Sequence, residues 1–549
     1  MSKSILFWPD VYKEQGHWLP TLKWAQVLHD QKDDNQEHLY SVSYMGIPDC
    51  APIISSYDNG NGCFPFHTIL GKMYSEGYTT ANHSNPDARW KTWHIWAILY
   101  SQYFKLAEGC SELTINTPDE CIEFALPEGA RVPSNDLIED ARSIWKAWNL
   151  ANPNLVVSGY FTSLETLLLY WIHKFEKKVE ENEEIVDEDE ADVIPIEEDI
   201  TGDEMPPEDA DDNEVVKEER VPRTDLDFVI STTYLRHPQD DPAIRAKLNL
   251  SAFSKPELHK IINMATKGKI STDEPEMTLQ QFVQPLETFH ELIPCPREYD
   301  YDHYVHGELV HYVDPCITKE ISKNSDSLDS NGYSIKWETE YNDRGQILET
   351  GIFDRYNQII FVSAGSQVLD YEDKAKNLFH SMCKAMQSPQ MQGYFLIIAV
   401  GPKLVNSLEW NDYDKSRILI ADWVPQRSLL SRENLKCAII HGGLATIKEC
   451  VYFNRKFVIS PMGKDQIDNA LRLKHIGINN MLQMSNVNPS SLLDAINRVT
   501  SDYLIKARLD KLSATFHTLE DEDAKDAVNQ SSDIVTGFKI LRDILNAQD

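Results

Sequence analysis

Cys437-Ala438-Ile439-Ile440-His441-Gly442-Gly443-Leu444-Ala445-Thr446-Ile447-Lys448-Glu449 is the stretch that decides the fold. A short apolar run reads as a buried strand, the glycine pair as a tight turn, and Leu444 to Tyr452 as the helix that follows. Strand, glycine turn and helix in that order belong to an α/β fold of Rossmann type. The same turn has chemical meaning. Backbone N–H groups at a helix start can hold phosphate, Thr446 adds a hydroxyl in the first turn, and the Glu449 carboxylate can accept from two ribose hydroxyls. Glycine turns mostly serve backbone geometry, so the tripeptide by itself says little. Its neighbours say more. Trp423-Val424-Pro425-Gln426 lies upstream, with an indole able to stack on a base, and Asp465-Gln466 and Asn469-Ala470 lie downstream. These are the parts needed to hold a nucleotide-sugar.

Working outward, strands and helices keep alternating. Ile359 to Ser363 reads as a strand, Ala364-Gly365-Ser366 as a turn, Tyr371 to Met386 as a helix, and Tyr394 to Val400 and Ile418 to Asp422 as strands. The N-terminal half opens similarly. Ser4 to Pro9 is a short apolar strand, and a loop ending in Gly16-His17-Trp18-Leu19-Pro20 leads into a helix from Thr21 to His29, with Pro20 suited to its first turn. Trp93, Trp96 and Tyr100 form a stripe on a helix from Arg89 to Phe104, which reads as core ahead of an acceptor pocket. Leu155 to Ser158 and Leu226 to Ile230 are further strands, Ser163 to Phe175 a helix, and Ser532 to Leu545 a last helix.

The expected organisation is two Rossmann-like α/β domains in a chain of 549 residues. Residues 1–315 form the first, 316–334 a linker, 335–530 the second, and 531–549 a C-terminal helix that could pack back on the first. The net charge of −35 is concentrated in an insertion at 177–220, where the stretch Glu180 to Glu219 holds 21 Asp and Glu against one Lys. Such composition reads as disordered and solvated. An acidic chain without clustered Lys and Arg argues against a nucleic-acid surface and against adhesion to anionic membranes. Nine scattered cysteines with no C-x-x-C pair suit a reducing compartment and give no zinc signature. Apolar stretches such as Leu167 to Ile172 are far short of a membrane span, and a cytoplasmic protein is expected. His303, His306 and His311 are loosely metal-like in spacing but read as a connector, because no Cys or carboxylate pattern completes a site.

From Ala421 to Ile478 the sequence resembles the donor-binding signature of the family 1, UDP-dependent glycosyltransferases: W-x-P-Q, then H-x-G with a Ser or Thr and a Glu, then D-Q and N-A. Phe361 to Gln367 resembles the strand and Gly-Ser loop that open the family's donor domain, and Gly16-His17-x-x-Pro20 resembles its N-terminal motif. The resemblance implies the GT-B arrangement, two Rossmann-like domains facing across a cleft. It implies that Trp423 stacks on uracil, that Val424 and Gln426 contact the nucleoside, and that Ser366, His441, Gly443 and Thr446 hold the diphosphate. Glu449 would bind the ribose, and Asp465 with Gln466 the sugar hydroxyls. His17 matches the general base. UDP-sugar, with glucose the expected sugar, and a lipophilic small-molecule acceptor are the implied substrates, with no metal or other cofactor.

Two positions depart from the pattern. Ala445 stands where many relatives carry Asn. Gly159, in Pro153-Asn154-Leu155-Val156-Val157-Ser158-Gly159, stands where the family places the Asp that steadies its histidine, leaving Glu165 as a candidate partner. These departures keep two alternatives open: a nucleotide-sugar-binding protein with little or no transferase activity, and a sugar-nucleotide epimerase of the same fold.

Overall fold

The computed structural model describes residues 2–10, 15–33, 35–55, 64–71, 143–144, 146–159, 162, 166–167, 169–170, 173–174, 226–232, 235, 284–317, 327–342, 344–366, 368–405, 413–463, 465–482, 487–527 and 536–548. Trp93, Trp96, Tyr100, Glu165 and the acidic insertion lie outside them.

Two parallel sheets organise the chain. The first contains β1 (Lys3–Trp8), β2 (Tyr40–Gly46), β3 (Phe66–Thr68), β4 (Leu155–Gly159), β5 (Asp227–Ser231), β6 (His290–Ile293) and β7 (Val310–Tyr312), in the order β3-β2-β1-β4-β5-β6-β7. After a short antiparallel pair, β8 (Glu340–Tyr341) with β9 (Ile347–Glu349), comes the second sheet. Its strands are β10 (Ile359–Ser363), β11 (Phe395–Ala399), β12 (Ile418–Ala421), β13 (Leu435–Ile440) and β14 (Phe457–Ile459), ordered β12-β11-β10-β13-β14. Both orders reverse direction beside their first strand, the doubly wound pattern in which ligands sit beyond the carboxyl ends of the strands. The apolar runs explain why. Ile5 to Trp8, Leu155 to Val157, Ile359 to Val362 and Cys437 to Ile440 are all buried, as strands covered on both faces must be.

The seven strands read from the sequence, β1, β4, β5 and β10 to β13, lie within two residues of their expected bounds; β2, β3, β6 to β9 and β14 are not read there, and two helix starts differ, the last helix beginning at Gly537 instead of Ser532. The first helix, α1 (Gln15–His29), begins ahead of Gly16 and carries Pro20 inside it. His17 therefore stands in the first turn of a helix, not in a loop. Proline at this depth forfeits a single bond, the one its N–H would make to the Gly16 carbonyl, and Thr21 Oγ1 recovers some order by donating to the Trp18 carbonyl at 2.7 Å.

The second sheet is flanked by α2 (Glu372–Ala385), α3 (Gln426–Ser431), α4 (Leu444–Tyr452), α5 (Gln466–His475) and α6 (Pro489–Ser501). The long α7 (Tyr503–Ala527) then leads to α8 (Gly537–Asn546), which Thr536 caps by accepting from the Lys539 N–H at 3.2 Å. The chain returns to the first sheet here: a β-carbon on Gly537 would strike Trp24 Nε1 at 2.5 Å, and Gln548 donates to the Asn154 carbonyl and the Asp227 carboxylate.

The two halves also share a seam. Lys448, buried on α4, donates to the carbonyls of Pro294 and Pro315 at 2.7 and 2.9 Å. Tyr299 Oη donates to the Asn469 carbonyl at 3.0 Å, and Arg472 Nε donates to Asp300 at 2.7 Å, both side chains of that pair being almost wholly buried. Burial opposes the charge on Lys448 and lowers its pKa, and the two carbonyl acceptors offset part of that cost. Among the described residues no helix is long and apolar enough to cross a membrane, and the described cysteines are buried.

Candidate functional site

β10 and β13 are neighbours in register, with Ser363 opposite Ile440. The turns that leave them, 364–366 and 441–443, therefore stand side by side. His441 fills the space between. A β-carbon on Gly365 would fall 2.5 Å from its ring, and one on Gly443 would fall 2.5 Å from Nε2. Gly365 and Gly442 also have φ of +82° and +96°, a region that side chains oppose. The glycines thus let one imidazole sit wedged between two loops, with Ser366 exposed at the tip of the first. Gly443 is the cap residue of α4 and supplies no side chain, so the first-turn N–H groups of α4 lack intrahelical and cap partners. Gly365→Ala is accordingly expected to displace His441 and weaken UDP binding at least about tenfold, read by calorimetric titration.

The Trp-Val-Pro-Gln segment leaves β12 and closes on α4. Gln426 Nε2 donates to Glu449 Oε2 at 2.5 Å, and Arg427 Nε donates to Oε1 at 2.7 Å. Glu449 is thus held by two donors, and Arg427 is a participant that the sequence reading missed, for lack of any spacing signal between residues 22 apart. Trp423 is half-buried. Val424 is 5% exposed and packed in the core, so a ligand can meet only its backbone.

At the Asp-Gln motif the side chains hold the loops themselves. Gln466 Oε1 accepts from the Met462 and Gly463 N–H groups at 2.7 and 3.1 Å, which fixes the loop that precedes α5. Asn469, fully buried, donates to the Gly442 carbonyl at 3.1 Å and to Asp465 Oδ2 at 2.8 Å. One amide therefore fixes the Asp-Gln loop to the glycine turn. The sequence reading gave Asn469 no role of its own; its Asn-Ala context was the available signal.

On the opposite side, α1 brings His17 to the same region. A β-carbon on Gly16 would meet that of Ala445 at 3.6 Å, ordinary contact distance, so the Gly-His turn lies on the first turn of α4. His17 Nδ1 lies 2.9 Å from Oδ2 of Asp10, whose side chain is fully buried. The resemblance implies a carboxylate at position 159, where this chain has Gly159, with Glu165 as the candidate partner; Asp10 stands at neither position. Of the connector histidines, His306 pairs with Tyr312 and His311 with His290, while exposed His303 stands with Asp302 and His475 in a cluster of potential metal ligands.

Two doubly wound parallel sheets in one chain define the GT-B class. The solved structure of the glycotransferase of kitacinnamycin superposes with a TM-score of 0.55 at 13% identity, covering 100% of this chain and 99% of that one. UDP-glucose: anthocyanidin 3-O-glucosyltransferase in complex with UDP gives 0.52 at 11% identity, covering 100% and 99%. At such identity it is the fold that is shared.

Residues 354–524 match the family model of UDP-glucoronosyl and UDP-glucosyl transferase. UDP-glucuronosyltransferase 2A2 of Mus musculus is 28% identical over 159 residues, 29% of this chain and 28% of that protein. UDP-glucosyltransferase 2 of Dactylopius coccus is 28% identical over 106 residues, 19% and 21%. The matches thus span less than a third of either relative.

Proposed function

We propose that the protein is an inverting glycosyltransferase that moves a sugar from a UDP-sugar, with glucose the expected sugar, to a hydroxyl of a lipophilic small molecule. The observation that carries the reading is the contact of the Gly16-His17 turn with Ala445, which sets a histidine of one domain against the phosphate-binding turn of the other.

In this reading Trp423 stacks on uracil, Glu449 takes the ribose hydroxyls in place of Gln426 and Arg427, and Asp465 with Gln466 orients the sugar. His17 Nε2 removes the acceptor proton as that oxygen attacks the anomeric carbon opposite UDP; the new C–O bond forms as the bond to the β-phosphate oxygen breaks. The proton rests on the imidazole. The charge left on UDP is met by the α4 N–H groups, His441, Thr446 and Ser366, so the reading calls for no metal. Ala445 removes one amide donor relative to many relatives.

The deciding experiment supplies UDP-glucose or UDP-glucuronic acid with a panel of phenols and sterols and follows UDP release. Acceptor-dependent release supports the transferase. Tight UDP binding without release would favour a nucleotide-sugar-binding protein, and conversion of the donor without an acceptor would favour an epimerase.

A further inference from the structure

We infer that Asp10 is the positioning residue of His17: the carboxylate that resemblance places at the end of β4 is supplied here from the end of the neighbouring strand, β1. The inference rests on the reading of His17 as the base.

Register provides the first argument. β1 and β4 are parallel neighbours, with Phe7 opposite Val157 and Trp8 opposite Ser158. The next pair along is Pro9 and Gly159. A β-carbon at 159 would fall 1.6 Å from the Pro9 carbonyl oxygen and 2.5 Å from its carbonyl carbon, so no side chain fits there. The chain leaving β1 has closed that position, and its next residue is Asp10.

Hydroxyls fix the same corner: Thr162 Oγ1 lies 3.1 Å from the Trp8 carbonyl and 2.8 Å from Ser158 Oγ. The ends of β1 and β4 are thereby held together, and Asp10 has a defined origin.

The second argument is the state of the carboxylate. Asp10 is fully buried, and among the described residues neither of its oxygens receives a well-aligned hydrogen bond. Its ionic contact there is His17 Nδ1, at 2.9 Å. A buried carboxylate is costly without a cation or donors.

Facing Nδ1, it selects the tautomer with the proton on that nitrogen, directs Nε2 outward as the base, and stabilises the imidazolium that forms during attack. The contact is not yet aligned as a hydrogen bond, as is common before substrates bind.

Asp10→Asn, nearly isosteric, tests this in the full-length protein. With an aliphatic alcohol acceptor kcat is expected to fall about 10²-fold with KM for donor and acceptor little changed. With a phenol already ionised at the assay pH, which needs no base, the loss should stay under about tenfold. Equal losses on both acceptors, or none on either, overturn the proposal.

A second measurement does not depend on turnover. The rate of His17 carbethoxylation, read by peptide mass spectrometry against pH, should show its midpoint at lower pH in Asp10→Asn than in wild type, because a neighbouring carboxylate favours the charged ring. An unmoved midpoint overturns the assignment. A wild type that transfers no sugar, yet shows the shift, would sink the reaction reading and leave the pair standing.

Discussion

His17→Ala is expected to lower acceptor-dependent UDP release about 10³- to 10⁴-fold while leaving UDP affinity within about threefold of wild type. The two readouts part because the residues sit on different elements. UDP would be held by turns of the second sheet, 364–366, 423–426, 441–446 and 465–466, each fixed by contacts that do not involve α1. His441 is wedged by Gly365 and Gly443, Glu449 is held by Gln426 and Arg427, and Asn469 ties Asp465 to Gly442. His17 reaches this assembly from the first sheet through the contact of Gly16 with Ala445. Removing its imidazole therefore deletes the proton acceptor without deleting a donor contact. Steady-state kinetics and UDP titration of the same preparation check both halves. A variant with wild-type turnover would exclude His17 as the base, and one with lost UDP affinity would place His17 in donor binding.

Sequence and structure agree most closely where function is local in the chain. The strand-turn-helix at 437–452 could be read because a parallel strand is a continuous apolar run and glycine marks the turn. What could not be read are the contacts set by neighbouring strands. Asp10 and Gly159 lie 149 residues apart in sequence, and only the register of β1 on β4 makes the carboxylate of one occupy the role expected at the other. Arg427 beside Glu449, and Lys448 on the carbonyls of Pro294 and Pro315, belong to the same kind. The start of α1 was missed for a different reason: proline is a strong stop signal in sequence, but in an early turn it forfeits one bond and packing outweighs it. The same pairing logic explains the histidines at 303–311, whose partners include Tyr312, His290 and, from α5, His475.

Asp300→Asn should destabilise the protein by about 3–5 kcal/mol, the usual cost of leaving one member of a buried ion pair without its partner. Arg472 is fully buried on α5, and its Nε donates to Asp300 Oδ1 at 2.7 Å, while Asp468, one turn back on the same helix, receives Nη1. Asp300 also accepts from Tyr312 Oη at 2.6 Å and from the Tyr301 N–H at 2.8 Å. Burial opposes ionisation of Asp300, but hydrogen bonds from His306, Tyr312 and Arg472 outweigh it and hold the carboxyl well below the usual carboxylate range. Asparagine keeps the shape and loses the charge, so the guanidinium stays buried with one partly exposed carboxylate. The pH dependence follows from the direction of the shift. A depressed carboxylate contributes in full above its unfolded pKa of about 4, and the contribution is lost as pH falls below that value toward the folded one. The difference in thermal midpoint between wild type and Asp300→Asn should therefore be several degrees and constant near neutral pH, then narrow progressively below about pH 4. Because Asp300 belongs to the segment after β6 and Arg472 to the donor-side helix α5, the same substitution loosens the seam beside the Asp-Gln loop. Calorimetry should then resolve the single transition into two, the half bearing UDP shifting upward with added UDP and the other half unmoved. A variant that unfolds in one transition at the wild-type temperature would show that the pair contributes nothing to holding the halves together.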